Sequence, residues 1–238
     1  MADWAIITGA SRGIGHAAAA RFRQQGWGVL NLSRKPCDVP GVVNVGVDLS
    51  APGWEARVEQ ALRDSVGPVG PVGPVSGRLS LVHNAALYEH DDALSMTAEH
   101  FRRVLEVNVV APAVLNRLVR ERLTEGSSIL YVGSTLSEKA VRNNASYVTT
   151  KHALVGLMRA TCQDLVGTRV HTVCICPGFT DTEMLHEHAG GHLAAIAKMS
   201  TFGRLIEPRE IADVVWLCAT TPVLNGAVLH ANLGQIES

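Results

Sequence analysis

The sequence predicts an open α/β fold, a doubly wound and mostly parallel sheet of about seven strands with helices on both faces. Strand-like and helix-like segments alternate along nearly all of the 238 residues, which indicates parallel strands joined by helices. The strand-like segments are apolar at successive positions, as burial on both faces of such a sheet requires. Polar and glycine residues follow the ends of these segments, where open parallel sheets bind their ligands.

Each predicted strand is a short apolar run that ends at polar or turn-forming residues. The predicted strands are residues 4–7, 29–32, 42–47, 79–83, 129–132, 170–175 and 228–230. The runs that follow strands one to four and six contain Gly9, Ser33-Arg34, Asp48-Leu49, Asn84-Ala85-Ala86 and Pro177-Gly178. The predicted helices are residues 16–25, 54–66, 97–123, 146–166 and 208–220, and Gly26 ends the first of them.

Residues 67–75 repeat Gly-Pro-Val three times. Proline at every third position forbids a helix, and the run is too short for a collagen-like assembly. We therefore expect an extended surface loop. No linker divides the rest of the chain, so we expect one domain over residues 1–238.

The composition excludes several classes of partner. The formal net charge is -1, which favours neither nucleic acid nor an acidic membrane surface. No apolar run approaches the roughly 20 residues that span a bilayer, and the chain enters a strand at once, so we expect no signal peptide and no membrane. The five cysteines lack a disulfide spacing, and Cys174 and Cys176 would share one strand face without bridging. We therefore expect the cysteines to be buried free thiols and the protein to be located in a reducing cytoplasm.

Residues 8–15, Thr-Gly-Ala-Ser-Arg-Gly-Ile-Gly, connect the first strand to the first helix. Glycines at such a turn let the backbone bend tightly and let a diphosphate approach the bare N–H groups of the helix. The alternative is a glycine turn without a ligand. The residues assigned here to cofactor binding are Gly9, Ser11, Arg12, Gly13, Ile14 and Gly15.

The end of the second strand bears on the choice of cofactor. A carboxylate there would bind the ribose hydroxyls of NAD, but the chain has Ser33 and Arg34, with Arg12 in the glycine turn. Two guanidinium groups suit a 2′-phosphate, so NADP(H) is favoured over NAD(H); solvated arginines are the alternative. Asp48, followed by Leu49, fits an acceptor for the adenine amino group, or else a carboxylate at a helix N-terminus.

The predicted chemistry lies on the helix over residues 146–166. Tyr147 and Lys151 are four residues apart, so their side chains meet on one helix face. An ammonium beside the phenol, together with a positive nicotinamide ring, would lower the phenol pKa and allow proton exchange near neutral pH. Ser134, just after a strand, can donate to the same substrate oxygen. If the Tyr147–Lys151 pair is considered alone, the alternative is that both side chains simply lie on the solvent-exposed face of a surface helix.

Asn108 is an unfavourable residue within the helical segment 97–123, and Pro112 follows four residues later. Proline has no N–H and crowds the carbonyl four residues back, so the carbonyl of Asn108 is left free. That carbonyl could hold a water that links Lys151 to solvent as a proton path. An ordinary kinked helix is the alternative.

Together these motifs resemble those of the short-chain dehydrogenase/reductase family, and the match covers nearly the whole chain. Residues 8–15 match Thr-Gly-xxx-Gly-x-Gly, residues 83–86 match Asn-Asn-Ala-Gly, and residues 177–182 match Pro-Gly-xxx-Thr. The Asn-Ser-Tyr-Lys tetrad is matched by Asn108, Ser134, Tyr147 and Lys151. The resemblance implies a Rossmann-type fold in which Tyr147 is the acid/base, Ser134 orients the carbonyl, Lys151 holds the nicotinamide ribose and Asn108 anchors a water.

The resemblance also implies further cofactor contacts. These belong to Asn84, Ala85, Ala86, Tyr147, Lys151, Pro177, Gly178, Thr180 and Thr182. Two departures are visible. Ala86 replaces a glycine on the adenosine side, from which we expect a small shift, and residues 232–234 replace the common Asp-Gly-Gly.

A mobile lid over the substrate is implied at about residues 183–202, with Gly190 and Gly191 as hinges. Its mixed composition does not identify a substrate. Candidate pocket walls are Leu136, Val141, Asn144, Phe179 and Met184, although simple packing explains them nearly as well. Three lid histidines, at 186, 188 and 192, invite a metal site, but the reaction needs none and we expect none.

We therefore expect an NADP(H)-dependent oxidoreductase that reduces a small-molecule carbonyl to an alcohol, or the reverse. The alternatives are the same chemistry with NAD, or a nucleotide sensor without turnover, against which the intact tetrad argues. The resemblance implies a homo-oligomer, a dimer or tetramer, formed through the helical segments 97–123 and 146–166.

Overall fold

The computed structural model describes residues 2–70, 73–74 and 77–235. Seven strands form one parallel sheet in the order β3-β2-β1-β4-β5-β6-β7. The strands are β1 Trp4–Thr8, β2 Gly28–Ser33, β3 Val42–Gly46, β4 Leu79–His83, β5 Ser128–Val132, β6 His171–Pro177 and β7 Val228–Ala231. The order reverses between β1 and β4, which makes their carboxyl ends the switch point where such sheets bind ligands.

Eight α-helices pack around the sheet in the described part of the chain. They are α1 Gly13–Gln24, α2 Trp54–Ala61, α3 Ala98–Leu105, α4 Ala111–Val119, α5 Ala145–Asp164, α6 Glu183–His188, α7 Leu193–Ala197 and α8 Pro208–Thr220. No helix within the described ranges combines the length and the hydropathy that crossing a bilayer requires.

Both faces of the sheet are buried, as the apolar strands predict. Ile6 belongs to a core cluster with residues of α2, α4 and α5, whereas its neighbour Ile7 belongs to a second cluster with residues of α1 and α8. Successive side chains of a strand point to opposite faces. The second cluster includes Phe22, which packs against Trp216 with ring centroids 5.4 Å apart.

The predicted helix over residues 97–123 is interrupted. α3 passes into a π-helical turn, Glu106–Val110, before α4 begins, and a 3-10 turn, Arg120–Arg122, follows α4. Pro112 has no N–H to offer the carbonyl four residues back, which favours a wider turn at this point. The predicted helix over residues 54–66 likewise ends in a π-helical turn, Leu62–Val66.

The described part of the Gly-Pro-Val repeats includes two extended pairs of residues, as predicted, but these are paired with each other. Val69–Gly70 pairs antiparallel with Gly73–Pro74 as a short ribbon outside the main sheet. The prediction for residues 71–72 and 75 falls outside the described residues.

Candidate active site

The glycine turn, residues 8–15, leaves the first turn of α1 open to an anion. Gly9 and Gly13 have φ values of 71° and 57°, a region that favours glycine. A Cβ at Gly15 would collide with the carbonyl oxygen of Gly9. Arg12 precedes α1 without capping it, and the first turn of the helix has no acidic residue. The N–H groups and the helix dipole therefore fit the diphosphate of a dinucleotide. The other residues predicted in this turn, Ser11 and Ile14, are half-buried.

Asn84 joins the end of β4 to the glycine turn. Its Nδ2 donates to the carbonyl oxygens of Thr8 at 2.9 Å and Gly9 at 3.1 Å. The Thr8 hydroxyl accepts the N–H groups of Asn84 and Ala85, both at 2.9 Å. These bonds hold the two switch-point loops at a fixed separation. Ala86 is half-buried beside them, so its methyl is accommodated within the fold.

Asn31, which the sequence reading missed, supports the same turn from β2. Its Oδ1 accepts the N–H of Ala10 at 3.0 Å, and its Nδ2 donates to Asn44 at 2.8 Å. Asn31 is only 1% exposed. The sequence did contain an indication of this role. Asn31 is the only amide in the apolar segment 29–32, and a buried amide needs hydrogen-bond partners.

The predicted adenosine site lies at the ends of β2 and β3. Arg34 is exposed, and the Ser33 hydroxyl donates to the carbonyl oxygen of Lys35 at 2.5 Å. Asp48 Oδ1 accepts the N–H and the hydroxyl of Ser50, at 2.9 and 2.6 Å. These bonds lower the pKa of the Asp48 carboxyl. Leu49, the next residue, is buried.

Arg12, predicted to bind a 2′-phosphate, forms an ion pair with the predicted lid. Its Nη1 lies 2.6 Å from Oε1 of Glu187 in α6, and both side chains remain about half exposed. The hydrogen bond to Glu187 raises the Arg12 pKa and lowers that of Glu187. The guanidinium therefore already has an anionic partner, which a cofactor phosphate would have to replace.

Three of the four predicted tetrad residues meet beside β5. The Ser134 hydroxyl lies close enough to the Tyr147 phenol to lower the pKa of that phenol. Ser134 also accepts the N–H of Leu136 at 3.1 Å, which fixes its side chain at the start of a 3-10 turn. Lys151 lies one turn beyond Tyr147 in α5, with Nζ 5.3 Å from the phenol ring centroid. It donates to the carbonyl oxygen of Val132 at 2.7 Å.

Burial governs the ionisation of this pair. It raises the pKa of Tyr147 to about 12, against a lowering by the neighbouring Ser134 hydroxyl. It lowers the pKa of Lys151 to about 8. Burial penalises the charged form of both groups. From the sequence we expected the pKa of the Tyr147 phenol to be lowered. In the protein without a cofactor it is raised instead.

Asn108, the fourth predicted residue, lies in the π-helical turn and is 3% exposed. Its side chain accepts the N–H of Leu87 at 2.7 Å and donates to the Leu87 carbonyl and the Thr150 hydroxyl, both at 3.0 Å. The side chain thus joins the loop after β4 to α5. The expected role of its main-chain carbonyl is separate from these bonds and stays a prediction.

The predicted nicotinamide side is formed after β6. Pro177 ends the strand, and a Cβ at Gly178 would lie 2.9 Å from Asn232, so this loop packs on the C-terminal segment. The Thr180 hydroxyl donates to the Gly178 carbonyl at 3.0 Å. Thr182 caps α6, and a Cβ on Gly13 would lie 3.1 Å from its methyl. The structure therefore brings Thr182 beside the glycine turn.

The C-terminal departure has a backbone consequence. Leu233 has a φ of 51°, where the common pattern has glycine. Its carbonyl accepts the Thr201 hydroxyl at 2.9 Å, so the turn anchors the end of the segment that follows α7.

The five predicted pocket residues are dispersed. Leu136 is half-buried after Ser134, Asn144 is buried at the start of α5, Val141 is half-exposed, and Phe179 and Met184 are half-buried beyond β6. They stay predictions.

The ring that packs against Tyr147 was not predicted from the sequence. Tyr88 lies edge-on to Tyr147, with centroids 4.7 Å apart, and contacts His90 at 5.4 Å and His188 at 4.5 Å. Tyr88 and His90 come shortly after the Asn-Ala-Ala run that the sequence reading did identify.

Two of the three lid histidines have separate partners. His186 pairs with Asp181 and His188 donates to Met184, and no metal-ligand group of three includes them within the described ranges. The one such group in that part of the chain is His16, Cys37 and Asp38, beside the predicted adenosine site. Cys174 and Cys176 are free thiols with Sγ atoms 4.0 Å apart, as expected.

A helix N-terminus open to a diphosphate, a half-buried Tyr147 and a buried Lys151 thus lie at one edge of a parallel sheet. This fold and site define the class of nicotinamide-dependent oxidoreductases. Residues 9–235 match a family model described as enoyl-(acyl carrier protein) reductase. The chain belongs to the short-chain dehydrogenase/reductase family and is an oxidoreductase acting on CH–OH or C=O groups with NAD(P).

Known proteins similar to the chain agree with this assignment. An uncharacterised oxidoreductase of Methylorubrum extorquens is 30% identical, over 97% of this chain and 96% of its own length. NADPH-dependent aldehyde reductase 2, chloroplastic, of Arabidopsis thaliana is 28% identical, over 97% and 92%. The ligand-free aldohexose dehydrogenase of Thermoplasma acidophilum shares the fold, with a TM-score of 0.86, 23% identity and coverage of 98% and 93%.

Proposed function

We propose that the chain reduces a carbonyl compound to an alcohol with NADPH, and that Tyr147 donates the proton. The observation that carries this proposal is the position of Tyr147 between Ser134, which lies close enough to lower the phenol pKa, and Lys151, whose Nζ is 5.3 Å from the phenol ring centroid. The two hydroxyls provide paired donors for one carbonyl oxygen, beside the turn that fits a diphosphate.

Residues of the chain would hold the cofactor at three points. The first turn of α1 would bind the diphosphate, with Thr182 beside it. Lys151 would bind the nicotinamide ribose, and Arg12 and Arg34 would bind a 2′-phosphate. Bound NADPH would supply a hydride to the carbonyl carbon.

The proton follows a separate path. Tyr147 gives its proton to the carbonyl oxygen, and Ser134 donates a hydrogen bond to that oxygen. Since burial raises the Tyr147 pKa to about 12, the phenol is protonated at neutral pH, as reduction requires. Lys151 can then return a proton from solvent, with Asn108 holding the water that the sequence predicts.

Two observations support NADPH over NADH. No carboxylate stands at Ser33-Arg34, where one would bind the ribose of NAD. A relative that is 28% identical is named as NADPH-dependent. Residues 1–238 would form one domain with residues 183–202 as a lid, and the five free thiols fit a reducing cytoplasm.

The test is NADPH and NADH oxidation with a panel of aldehydes and ketones. Tyr147→Phe should lower kcat by about 10²- to 10⁴-fold, the range for loss of a general acid. Tyr131→Phe is the matched control, because Tyr131 is buried and bonds Asn116 and Thr161. It should lower stability and retain kcat. Activity that survives Tyr147→Phe would refute the mechanism, and a strong preference for NADH would refute the cofactor assignment.

A further inference from the structure

Tyr88, His90 and His188 form a cluster beside the Tyr147 phenol, here called the imidazole cluster. The His90 and His188 rings are 5.5 Å apart, and Tyr88 contacts both of them and Tyr147. His90 follows β4, whereas His188 ends α6 in the predicted lid. Two distant segments therefore bring imidazoles to the same side of the site.

Hydrogen bonds determine which nitrogen of each ring is available. His188 Nδ1 lies 2.8 Å from the Met184 carbonyl oxygen, and His90 Nδ1 lies 3.4 Å from that of Asn143. A carbonyl oxygen only accepts, so each Nδ1 carries the hydrogen. In a neutral imidazole the other nitrogen, Nε2, is then an acceptor. The cluster offers two such acceptors.

The charges near the cluster oppose an anionic substrate. His90 lines an open recess with Asp91, Asp92 and Asn143. Glu187 directly precedes His188 in α6. Glu187 is paired with Arg12 and Asp91 is bonded to His100, whereas the exposed Asp92 leaves a negative side chain in the recess beside His90. A ligand that donates hydrogen bonds and carries no negative charge suits this environment.

We infer that the imidazole cluster binds hydroxyl groups of the substrate, which makes the substrate a polyhydroxylated ketone or aldehyde. The inference rests on the proposed function and names its substrate class. Substrate O–H groups donate to Nε2 of His90 and of His188. Meanwhile the reacting carbonyl lies at Tyr147 and Ser134.

The test uses three five-carbon ketones: D-xylulose, which is polyhydroxylated, 2-pentanone, which is not, and the anion levulinate. We expect kcat/KM to be at least tenfold higher for D-xylulose than for the other two. His90→Phe and His188→Phe retain a ring but remove the acceptor. Each should lower kcat/KM for D-xylulose about 3- to 10-fold, the size of one hydrogen bond, mainly through KM. The change in kcat/KM for 2-pentanone should be smaller than that for D-xylulose.

His186→Phe is the matched control, because His186 is in the same helix but pairs with Asp181 outside the cluster. It should preserve the preference for D-xylulose. A preference for 2-pentanone or levulinate would overturn the inference. So would His90→Phe and His188→Phe variants that change kcat/KM for all three ketones equally.

A binding experiment separates this inference from the proposed function. If no carbonyl supports Tyr147-dependent turnover, the proposed function fails, but calorimetry of the NADP⁺-loaded protein still tests the cluster. Xylitol should bind more tightly than 1-pentanol, and His188→Phe should remove the difference. Equal binding of the two alcohols would overturn the inference.

Discussion

At the scale of single residues, Tyr147 and Lys151 illustrate how burial opposes two charges at once. The phenol has a pKa of about 12 and the ammonium a pKa of about 8, so each tends towards its neutral form. A protonated phenol is ready for carbonyl reduction, whereas alcohol oxidation requires the phenolate. The positive ring of an oxidised nicotinamide would favour that phenolate.

The two directions should therefore differ in their pH dependence. We expect kcat/KM for carbonyl reduction to be nearly constant from about pH 6 up to the Lys151 pKa of about 8, because Tyr147 and Lys151 both stay protonated there. We expect kcat/KM for alcohol oxidation to rise over the same range, by up to about tenfold per pH unit. Lys151→Met should move the rise to higher pH, because it removes a charge that favours phenolate. An oxidation rate already constant at pH 7 would contradict this.

His83 affects stability rather than chemistry. It is 3% exposed, its Nε2 is bonded to Asn116 at 2.8 Å, and burial lowers its pKa to about 4. In the unfolded chain this histidine has the ordinary pKa of 6.5. Between pH 6.5 and 4 it is therefore protonated in the unfolded chain but neutral in the folded chain. The stabilisation is complete above pH 6.5 and is lost as the pH falls towards 4, by about 3 kcal/mol.

His83→Phe should remove this contribution and preserve the ring contact with Tyr131. We expect the variant to lose less free energy of unfolding than the unaltered protein between pH 6.5 and 4. Urea titrations at both pH values measure the difference. If the two proteins lose equal stability, the buried neutral imidazole is not the cause.

At the scale of elements, the sequence predicted where the strands and the long helices lie, because burial on both faces leaves uninterrupted apolar runs. It predicted one helical segment over residues 97–123 with a free carbonyl at Asn108, since proline removes one specific hydrogen bond, but not the interruption of that helix. The π-helical turn that results could not be predicted from the local sequence. It depends on bonds from Asn108 to Leu87 and Thr150, which are distant in the chain.

The residues of the candidate site were likewise predicted only in part. Residues at strand ends were predicted, because the topology of a parallel sheet brings those ends together. Asn31 and His90 were not, because their roles depend on pairings across the fold. The contact of Glu187 with Arg12 was also unpredictable, since 175 residues separate them.

The ion pair between Glu187 and Arg12 leads to a testable prediction about cofactor binding. Glu187 and a cofactor 2′-phosphate would compete for Arg12, and an exposed ion pair contributes up to about 1 kcal/mol. Glu187→Gln should therefore lower the Kd for NADPH by about 2- to 5-fold and leave that for NADH unchanged. Fluorescence titration with both nucleotides measures this. In an Arg12→Ala background, Glu187→Gln should have no effect; an equal change for NADH and NADPH would contradict the competition.

At the scale of the whole molecule, α5 has a buried face and an open one. Leu154, Val155 and Met158 are buried, whereas Gly156 is exposed and a Cβ there would meet nothing within 4 Å. Glycine within a helix costs about 0.5–1 kcal/mol relative to alanine. A surface that a second copy approaches closely would explain a glycine here. This is the helix through which we expect the chain to assemble as a dimer or tetramer.

Gly156→Arg tests this assembly. In an isolated chain the arginine would extend into solvent and remove a glycine from a helix, so the variant should be no less stable than the unaltered protein. At a close helix–helix contact the same side chain would clash with its symmetry-related copy, because a twofold interface repeats each residue. We therefore expect the unaltered protein to sediment as a dimer or tetramer and Gly156→Arg to sediment as a smaller species.

Gln60→Arg, which adds the same charge on an exposed position of α2, should leave the assembly intact. A monomeric unaltered protein, or a Gly156→Arg variant that assembles normally, would place any interface elsewhere.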